Sequence, residues 1–148
     1  MKNMTLSNAI PVVAGMAALL WAAPVFAQTY TMRFTTPFQF MAGDRMFPAG
    51  QYQVTMDQCS HLLLQPVKET RTYGLGLSMN LVERSQQDLS LAVLRFTQYG
   101  DTLYLTAAWA PGHYEGRTLA PTPRLLEAAR TAAETGSAGA APADVYVK

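Results

Sequence analysis

Cysteine is almost absent from this 148-residue chain, which contains only Cys59. A single cysteine has no partner for an intramolecular disulfide, so the fold must rest on a hydrophobic core and not on covalent cross-links. Histidine is nearly as rare, with His61 and His113 alone. Strand geometry would place Cys59 and His61 on one face. A structural zinc needs four ligands and a catalytic zinc usually three, so we predict no metal site.

Catalytic motifs are also missing from the sequence. No G-x-S-x-G nucleophile elbow is present, and Gly74-x-Gly76 is not followed by the Lys-Ser/Thr of a phosphate-binding loop. The carboxylates are spread singly among turns, and no sequence feature activates Cys59 as a nucleophile. We therefore predict a protein that is not an enzyme and has no cofactor. An enzyme of unknown type that uses Cys59, His61 and His113 is the third hypothesis.

Charge is low and balanced, with 11 basic and 10 acidic residues that make up 14% of the chain. No block of basic residues stands out, so nucleic-acid binding has little electrostatic support. The composition also lacks an acidic tail that would store cations. The charge pattern therefore predicts no nucleic-acid partner.

The first 27 residues have the layout of an export signal. Lys2 is followed by an uncharged, apolar run over residues 9–27 that ends in Val25-Phe26-Ala27, before Gln28. A basic start, an apolar centre and small residues at a cleavage site are typical of a signal peptide. The alternative is an uncleaved anchor, because the run approaches the ~20 residues of a spanning helix. We predict a signal peptide over 1–27, export to the periplasm or outside the cell, and no membrane span after cleavage.

Most of the remaining sequence has the alternation and the β-branched or aromatic residues that are typical of strands. Such segments cover residues 30–36, 51–56, 61–65, 70–80, 89–99 and 102–109. Turn signals separate them every 8–12 residues or so, which is typical of sandwiches and barrels. The fold class predicted is mainly β, an antiparallel β-sandwich or small barrel with one short C-terminal helix.

Two tight turns are predicted from glycine and proline. Pro48-Ala49-Gly50 suits a type I turn in which Gly50 takes the left-handed conformation, and this would make a three-residue hairpin loop with a bulge. Gly100-Asp101 separates two convincing strands and predicts a two-residue hairpin turn. Pro48, Gly50 and Gly100 are therefore interpreted as structural residues and not as a recognition loop.

The C-terminal part of the chain changes to a helical pattern. Thr122 suits the N-cap, Pro123 the first helical position, and Gly136 the end of the helix. Residues 137–143 are small and of low complexity. We predict a β-domain with a C-terminal helix over 28–135 and a flexible tail over 136–148.

Aromatic side chains supply most of the predicted core and the candidate binding surface. The predicted core consists of Phe38, Phe40, Phe96, Leu103, Leu105 and Trp109. In the last strand, Leu103, Leu105, Ala107 and Trp109 should share one face. Tyrosine combines an apolar ring with a polar hydroxyl, so a tyrosine-rich face suits sugars, peptides or a partner sheet. The candidate binding aromatics are Tyr52, Tyr73, Tyr99, Tyr104 and Tyr114, and ordinary cross-strand pairs are the favoured interpretation of them.

The chain resembles a group of small exported bacterial β-proteins of uncharacterised function. The resemblance rests on the P-A-G-x-Y motif within residues 38–54, and on an F-x-x-Y-G-D…L…W stretch over 96–109 that is followed by a helix at 123–135. It implies a β-fold and export, and it brings no catalytic residues.

These observations favour an exported, non-enzymatic β-domain that binds an unknown protein or envelope component, or that helps to build the envelope. The alternative hypothesis is a carrier that encloses a small apolar ligand inside a barrel. An empty interior cavity of several hundred Å3 would distinguish the carrier from the binding module.

Signal cleavage after Ala27 is directly testable. The exported protein should begin at Gln28, because the small residues before that position fit the cleavage pocket of a signal peptidase. An intact mass that corresponds to residues 28–148 would agree with this prediction. A protein that keeps residues 1–27 would support the uncleaved anchor instead.

Overall fold

A computed structural model describes residues 29–57, 61–84, 88–136 and 143–147. The predicted signal peptide over 1–27 and Cys59 lie outside these ranges. The described residues are mainly β, as the alternating pattern predicts. Their elements are β1 (Tyr30–Thr36), β2 (Phe40–Ala42), β3 (Arg45–Phe47), β4 (Gly50–Met56), β5 (His61–Pro66), β6 (Tyr73–Glu83), β7 (Ala92–Tyr99), β8 (Thr102–Trp109), β9 (Glu115–Leu119), α1 (Pro123–Glu134) and β10 (Ala143–Val147).

Eight of the strands follow one another in antiparallel pairs, in the order β1-β4-β5-β6-β9-β8-β7-β10. β1 and β10 end this series and lie beside each other without a hydrogen-bonded ladder. β2 and β3 form a hairpin that meets β8 through a parallel bridge between Met41 and Tyr104. The predicted fold class is confirmed, and the parallel bridge makes the sheet mixed where a purely antiparallel one was expected.

The interior is filled by side chains that alternate along the strands. The inward positions of β1 and β4 carry Met32, Phe34, Tyr52 and Val54, which are buried, while their neighbours in sequence face outward. The predicted core residues Phe40, Phe96 and Leu105 are buried in the same cluster, and Phe38 and Leu103 pack against it. The Phe40 and Phe96 rings meet edge to face at 5.1 Å between centroids, an arrangement that aromatic pairs prefer.

The segment Pro48-Ala49-Gly50 is not the loop of a hairpin, so that prediction was wrong. β3 pairs with β2, whereas β4 pairs with β1 and β5, so the segment carries the chain from one end of the sheet order to the other. Gly50 does not have the positive φ that the predicted bulge requires. The Tyr52 hydroxyl instead donates a hydrogen bond to the Pro48 carbonyl oxygen. Burial raises the pKa of this hydroxyl, and the nearby charge of Glu69 adds to the effect.

The β7–β8 hairpin confirms the second predicted turn. Tyr99 pairs with Thr102, and Gly100 between them has a φ of 61°, which glycine adopts without strain. Further along the hairpin the register shifts, because Phe96 pairs with Leu105 while Arg95 pairs with Ala107.

Thr106 is therefore the extra residue of a β-bulge. The bulge reverses the alternation, so Leu105 enters the main core while Ala107 and Trp109 form a second cluster with Val93. The prediction that Leu103, Leu105, Ala107 and Trp109 share one face was wrong for this reason.

The helix begins and ends where the sequence predicts. The Leu125 amide donates to the Thr122 side-chain oxygen at 3.3 Å, Pro123 is the first helical residue, and Gly136 follows the helix with a φ of 68°. Ala132 is the buried residue of this helix, so α1 lies against the body through a narrow contact. Of the helices in the described ranges, none is long and apolar enough to cross a membrane.

Part of the predicted tail is a strand. Residues 143–147 form β10, which pairs antiparallel with β7 from Ala143↔Phe96 to Val147↔Ala92. The flexible-tail interpretation was wrong for these five residues, because Asp-Val-Tyr-Val has strand chemistry and Val147 is buried in the main core. Residues 137–142 and Lys148, the rest of the predicted tail after Gly136, lie outside the described ranges.

Two glycines give a matched test of this packing. We expect Gly116→Ala to lower the free energy of unfolding by about 1–3 kcal/mol, the usual cost of overpacking. A Cβ atom at Gly116 would lie 2.5 Å from Cδ1 of Trp109 and 2.6 Å from the Ala108 carbonyl oxygen. The measurement is urea denaturation.

The control is Gly50→Ala. Its Cβ atom would have Tyr52 Cε2 as nearest neighbour, at 3.9 Å, and no left-handed φ is required. We expect unchanged stability or a gain of up to about 1 kcal/mol from the stiffer unfolded chain. A larger loss for Gly50→Ala than for Gly116→Ala would contradict this description of the two positions.

Candidate functional site

Trp109 organises the outer face of the sheet. Its side chain is fully buried, and the indole Nε1 donates a hydrogen bond to the Val82 carbonyl oxygen at 3.0 Å. Gly116 lies against one side of the ring system, where a Cβ atom would clash. The guanidinium of Arg95 covers the ring with Cζ 4.6 Å from the centroid, which is cation–π geometry.

Arg95 also connects Trp109 to the C-terminal strand. Its Nε and one terminal nitrogen donate to the two carboxylate oxygens of Asp144 in β10, at 2.8 and 3.0 Å. This bidentate hydrogen bond to Asp144 is the main reason that the pKa of Arg95 is raised. Both side chains are largely buried, so water competes weakly with the pair. The pair therefore fixes β10 on the edge of β7.

A gap between β1 and β10, which we call the seam, is the candidate functional site. Beside the seam, a cavity of about 440 Å3 extends across β1: Arg33, Phe34 and Thr35 of β1, Gln51 and Val67 beyond it, and Tyr146 of β10 line it. Phe34 is buried at its base, while Val67 and Tyr146 are 43% and 44% exposed. Strand edges without a ladder present backbone N–H and C=O groups to any chain that approaches. The seam can therefore hold an extended polypeptide chemically, through backbone hydrogen bonds and apolar contacts.

The five candidate tyrosines do not form one face. Tyr52 is buried in the core, and Tyr73 is half-buried beneath Arg45, whose Cζ lies 4.7 Å from its ring centroid. Tyr114 is exposed on another part of the surface, where its hydroxyl donates to Glu83 at 3.4 Å. The structure does not bring the five residues to one tyrosine-rich face, because Tyr52, Tyr73, Tyr99 and Tyr104 lie in four different strands and Tyr114 precedes β9.

Only one pair of the five candidate tyrosines is in ring contact within the described chain. Tyr99 and Tyr104 meet with centroids 5.7 Å apart, on the side of the β7–β8 hairpin that faces α1.

His113 lines a cleft of the fold, and His61 lies beside Asp57 at the border of the same cleft. The Tyr30 hydroxyl and His113 Nε2 are 3.3 Å apart, and Nδ1 of His61 lies 3.5 Å from a carboxylate oxygen of Asp57. Tyr30, His113 and Asp57 border this cleft of about 310 Å3, whose floor includes Met56 and Leu77. Within the described ranges, no group of three or more His, Cys, Asp or Glu residues is placed to hold a metal ion.

Arg84 is buried, although it lies in a run of polar residues over 83–88. Its guanidinium donates to the carbonyl oxygens of Asp88, Leu91 and Ala110 at 2.7, 2.9 and 3.1 Å. Burial lowers the pKa of Arg84, against the opposite effect of the Asp88 charge. The Arg84 side chain therefore connects three segments of the chain. Two of them follow β6 and β8, and the third precedes β7. Nothing in the local pattern distinguishes Arg84 from an exposed loop arginine.

Comparisons of the chain with protein-family models, with curated proteins and with solved structures found no match.

The bond between Arg95 and Asp144 can be tested by Asp144→Asn. We expect a loss of about 1–3 kcal/mol in the free energy of unfolding, because a largely buried guanidinium loses its charged acceptor. Amide hydrogen exchange should accelerate over residues 145–147, since β10 depends on this bond.

Glu127→Gln is the matched control. It breaks the ion pair between Glu127 and Arg130 on the helix, where both side chains are more than 60% exposed. Exposed pairs contribute little, so the change should stay below about 0.5 kcal/mol. Equal losses for the two variants would mean that the Arg95–Asp144 bond does not hold β10 in place.

Proposed function

We propose that this protein is an exported, non-enzymatic β-domain that binds a protein partner of the cell envelope at the seam. The observation that carries the proposal is the pair of adjacent strand edges, seven residues of β1 and five of β10, which lie side by side without a ladder. Unpaired edges are usually shortened, covered or blocked, because they invite pairing with other chains. An edge left open beside a cavity therefore favours a binding role.

The partner that fits the seam is an extended segment that adds a strand. Seven antiparallel steps separate β1 from β10 in the sheet order, so these two strands run in opposite directions. A strand inserted between them pairs antiparallel with one and parallel with the other, and it requires β10 to move away from β1, because the two lie within 8 Å at their Cα atoms and two strand spacings are about 9.6 Å. β1 is the longer edge, and antiparallel pairing is slightly more stable per residue. We therefore infer that the partner segment runs antiparallel to β1.

The side chains of the seam specify the composition of that segment. Val67 and Tyr146 offer exposed apolar surface, which apolar residues of the partner would cover. Arg33 makes no ion pair within the described chain, so its guanidinium is open to a carboxylate. An extended segment that alternates apolar and acidic residues meets both requirements.

The alternative hypotheses have less support. A carrier of an apolar ligand needs an empty interior, whereas Phe40, Phe96 and Leu62 are fully buried in a filled core. For an enzyme, His61 and His113 approach different neighbours, Asp57 and Tyr30. Export rests on the sequence of residues 1–27 and on the resemblance to small exported bacterial β-proteins.

Site-specific photo-crosslinking tests the proposal in cells that express the full chain. A photoreactive amino acid replaces Thr35, which is exposed and lines the seam, or Leu126, which is 58% exposed on the helix. We expect an adduct of discrete mass with one envelope protein from position 35 and not from position 126. Adding Arg33→Glu to the Thr35 variant should reduce the yield of this adduct, because an acidic partner segment would be repelled.

Two results would contradict the proposal. One is the absence of any adduct at position 35 in a variant that retains the wild-type melting temperature. The other is the same set of adducts from both positions, which indicates nonspecific encounter.

A further inference from the structure

A second cavity lies between the β7–β8 hairpin and α1, away from the seam. This helix-side cavity has a volume of about 470 Å3, within the roughly 300–1,000 Å3 of small-molecule sites. Its walls include Tyr99 and Tyr104 from the hairpin, and Arg124, Glu127 and Thr131 from the helix. The cavity exists because the helix touches the body narrowly, through Ala132.

The two tyrosines give the cavity an aromatic wall. Their rings meet at 60° with centroids 5.7 Å apart, so they present surfaces in two directions. Tyr104 is only 7% exposed as a residue, while its hydroxyl stays accessible from the cavity and makes no hydrogen bond with a described residue. The Tyr104 hydroxyl is therefore placed to bond with whatever occupies the cavity.

The rest of the lining combines polar groups with very small residues. Gly100, Ala128, Ala132 and Thr135 complete the walls, and the lining contains no leucine, isoleucine, valine or methionine. The cleft lined by His113 differs in composition, since its floor includes the aliphatic side chains of Met56 and Leu77. An aliphatic ligand would find few matching surfaces in the helix-side cavity. Aromatic rings among hydroxyls suit a ligand that is apolar on its faces and polar around its rim.

The charges of the lining favour a neutral ligand. Arg124 supplies hydrogen-bond donors and Glu127 supplies acceptors, so the cavity has one side chain of each sign. The hydroxyls of Tyr99, Tyr104 and Thr131 both donate and accept. A ligand rich in hydroxyl groups uses all of these, whereas an ion is attracted by one of Arg124 and Glu127 and repelled by the other, and Arg130 already pairs with Glu127 at 2.7 Å.

We propose that the helix-side cavity binds a neutral oligosaccharide, with a sugar ring against Tyr99 and its hydroxyl groups bonded to Tyr104, Arg124 and Glu127. A sugar ring has apolar C–H faces and a rim of hydroxyls, which matches both kinds of surface in the cavity. This site shares no residue with the seam, so it stands whether or not a protein partner binds there.

Titration of the protein purified from cells that express the full chain tests this proposal. The probes are maltotriose, cellotriose and the trimer of N-acetylglucosamine, and binding is followed by ligand-detected NMR and by tyrosine fluorescence. We expect at least one probe to bind. Tyr99→Ala and Arg124→Gln should each weaken that binding at least about tenfold, with little change in melting temperature.

Tyr114→Ala is the matched control, since it removes an exposed tyrosine that does not line this cavity. Its affinity for the probe should equal that of the wild type. Tyr104→Phe keeps the ring and removes only the hydroxyl, so it should weaken binding while the fold is retained.

The proposal is overturned if none of the three probes binds at about 10 mM, a concentration that detects even millimolar affinity. It is also overturned if Tyr99→Ala and Tyr114→Ala weaken binding equally. Loss of crosslinking at Thr35 would leave these results unaffected, so failure at the seam and failure at the cavity are distinguishable.

Discussion

The arrangement of the C-terminal half depends on one extra residue, Thr106, in β8. Its bulge rotates the end of the strand, so that Trp109 leaves the main core and lies on the outer face. There Trp109 requires a cover, which the guanidinium of Arg95 provides, and Arg95 in turn requires a carboxylate, which comes from Asp144. These three contacts, from the bulge through Trp109 and Arg95 to Asp144, position β10 and thereby form the seam.

The sequence predicts the strands, turns and helix of this fold better than it predicts which strands pair with each other. Local chemistry determines strands, the Gly100-Asp101 turn and the capped helix, because alternation, φ preference and hydrogen-bonding caps act within a few residues. The pairing of β3 and β4 with different strands depends on distant residues. The Pro48-Ala49-Gly50 segment therefore has the local sequence of a hairpin loop, although it connects two strands that do not pair with each other. The Thr106 bulge is equally invisible in a pattern that alternates well on both sides of it.

The candidate sites were predicted least well, for the same physical reason. A shared face for the tyrosines was one of two interpretations, and the order of strands in the sheet separates Tyr52 from Tyr73, while the local β7–β8 hairpin brings together Tyr99 and Tyr104. The ion pair of Arg95 with Asp144 joins residues 49 positions apart. Such a distant pair leaves no local signal, and Asp144 itself follows a low-complexity segment that suggested a flexible tail.

The attachment of β10 also protects the middle of the sheet. A molecule in which β10 detaches would leave Arg95 over Trp109 without its carboxylate and would leave the edge of β7 open. Such a molecule would open locally more often, and proteases that cleave transiently opened chains would find it. Resistance to proteolysis therefore reports whether β10 is attached to β7, without any dedicated recognition signal.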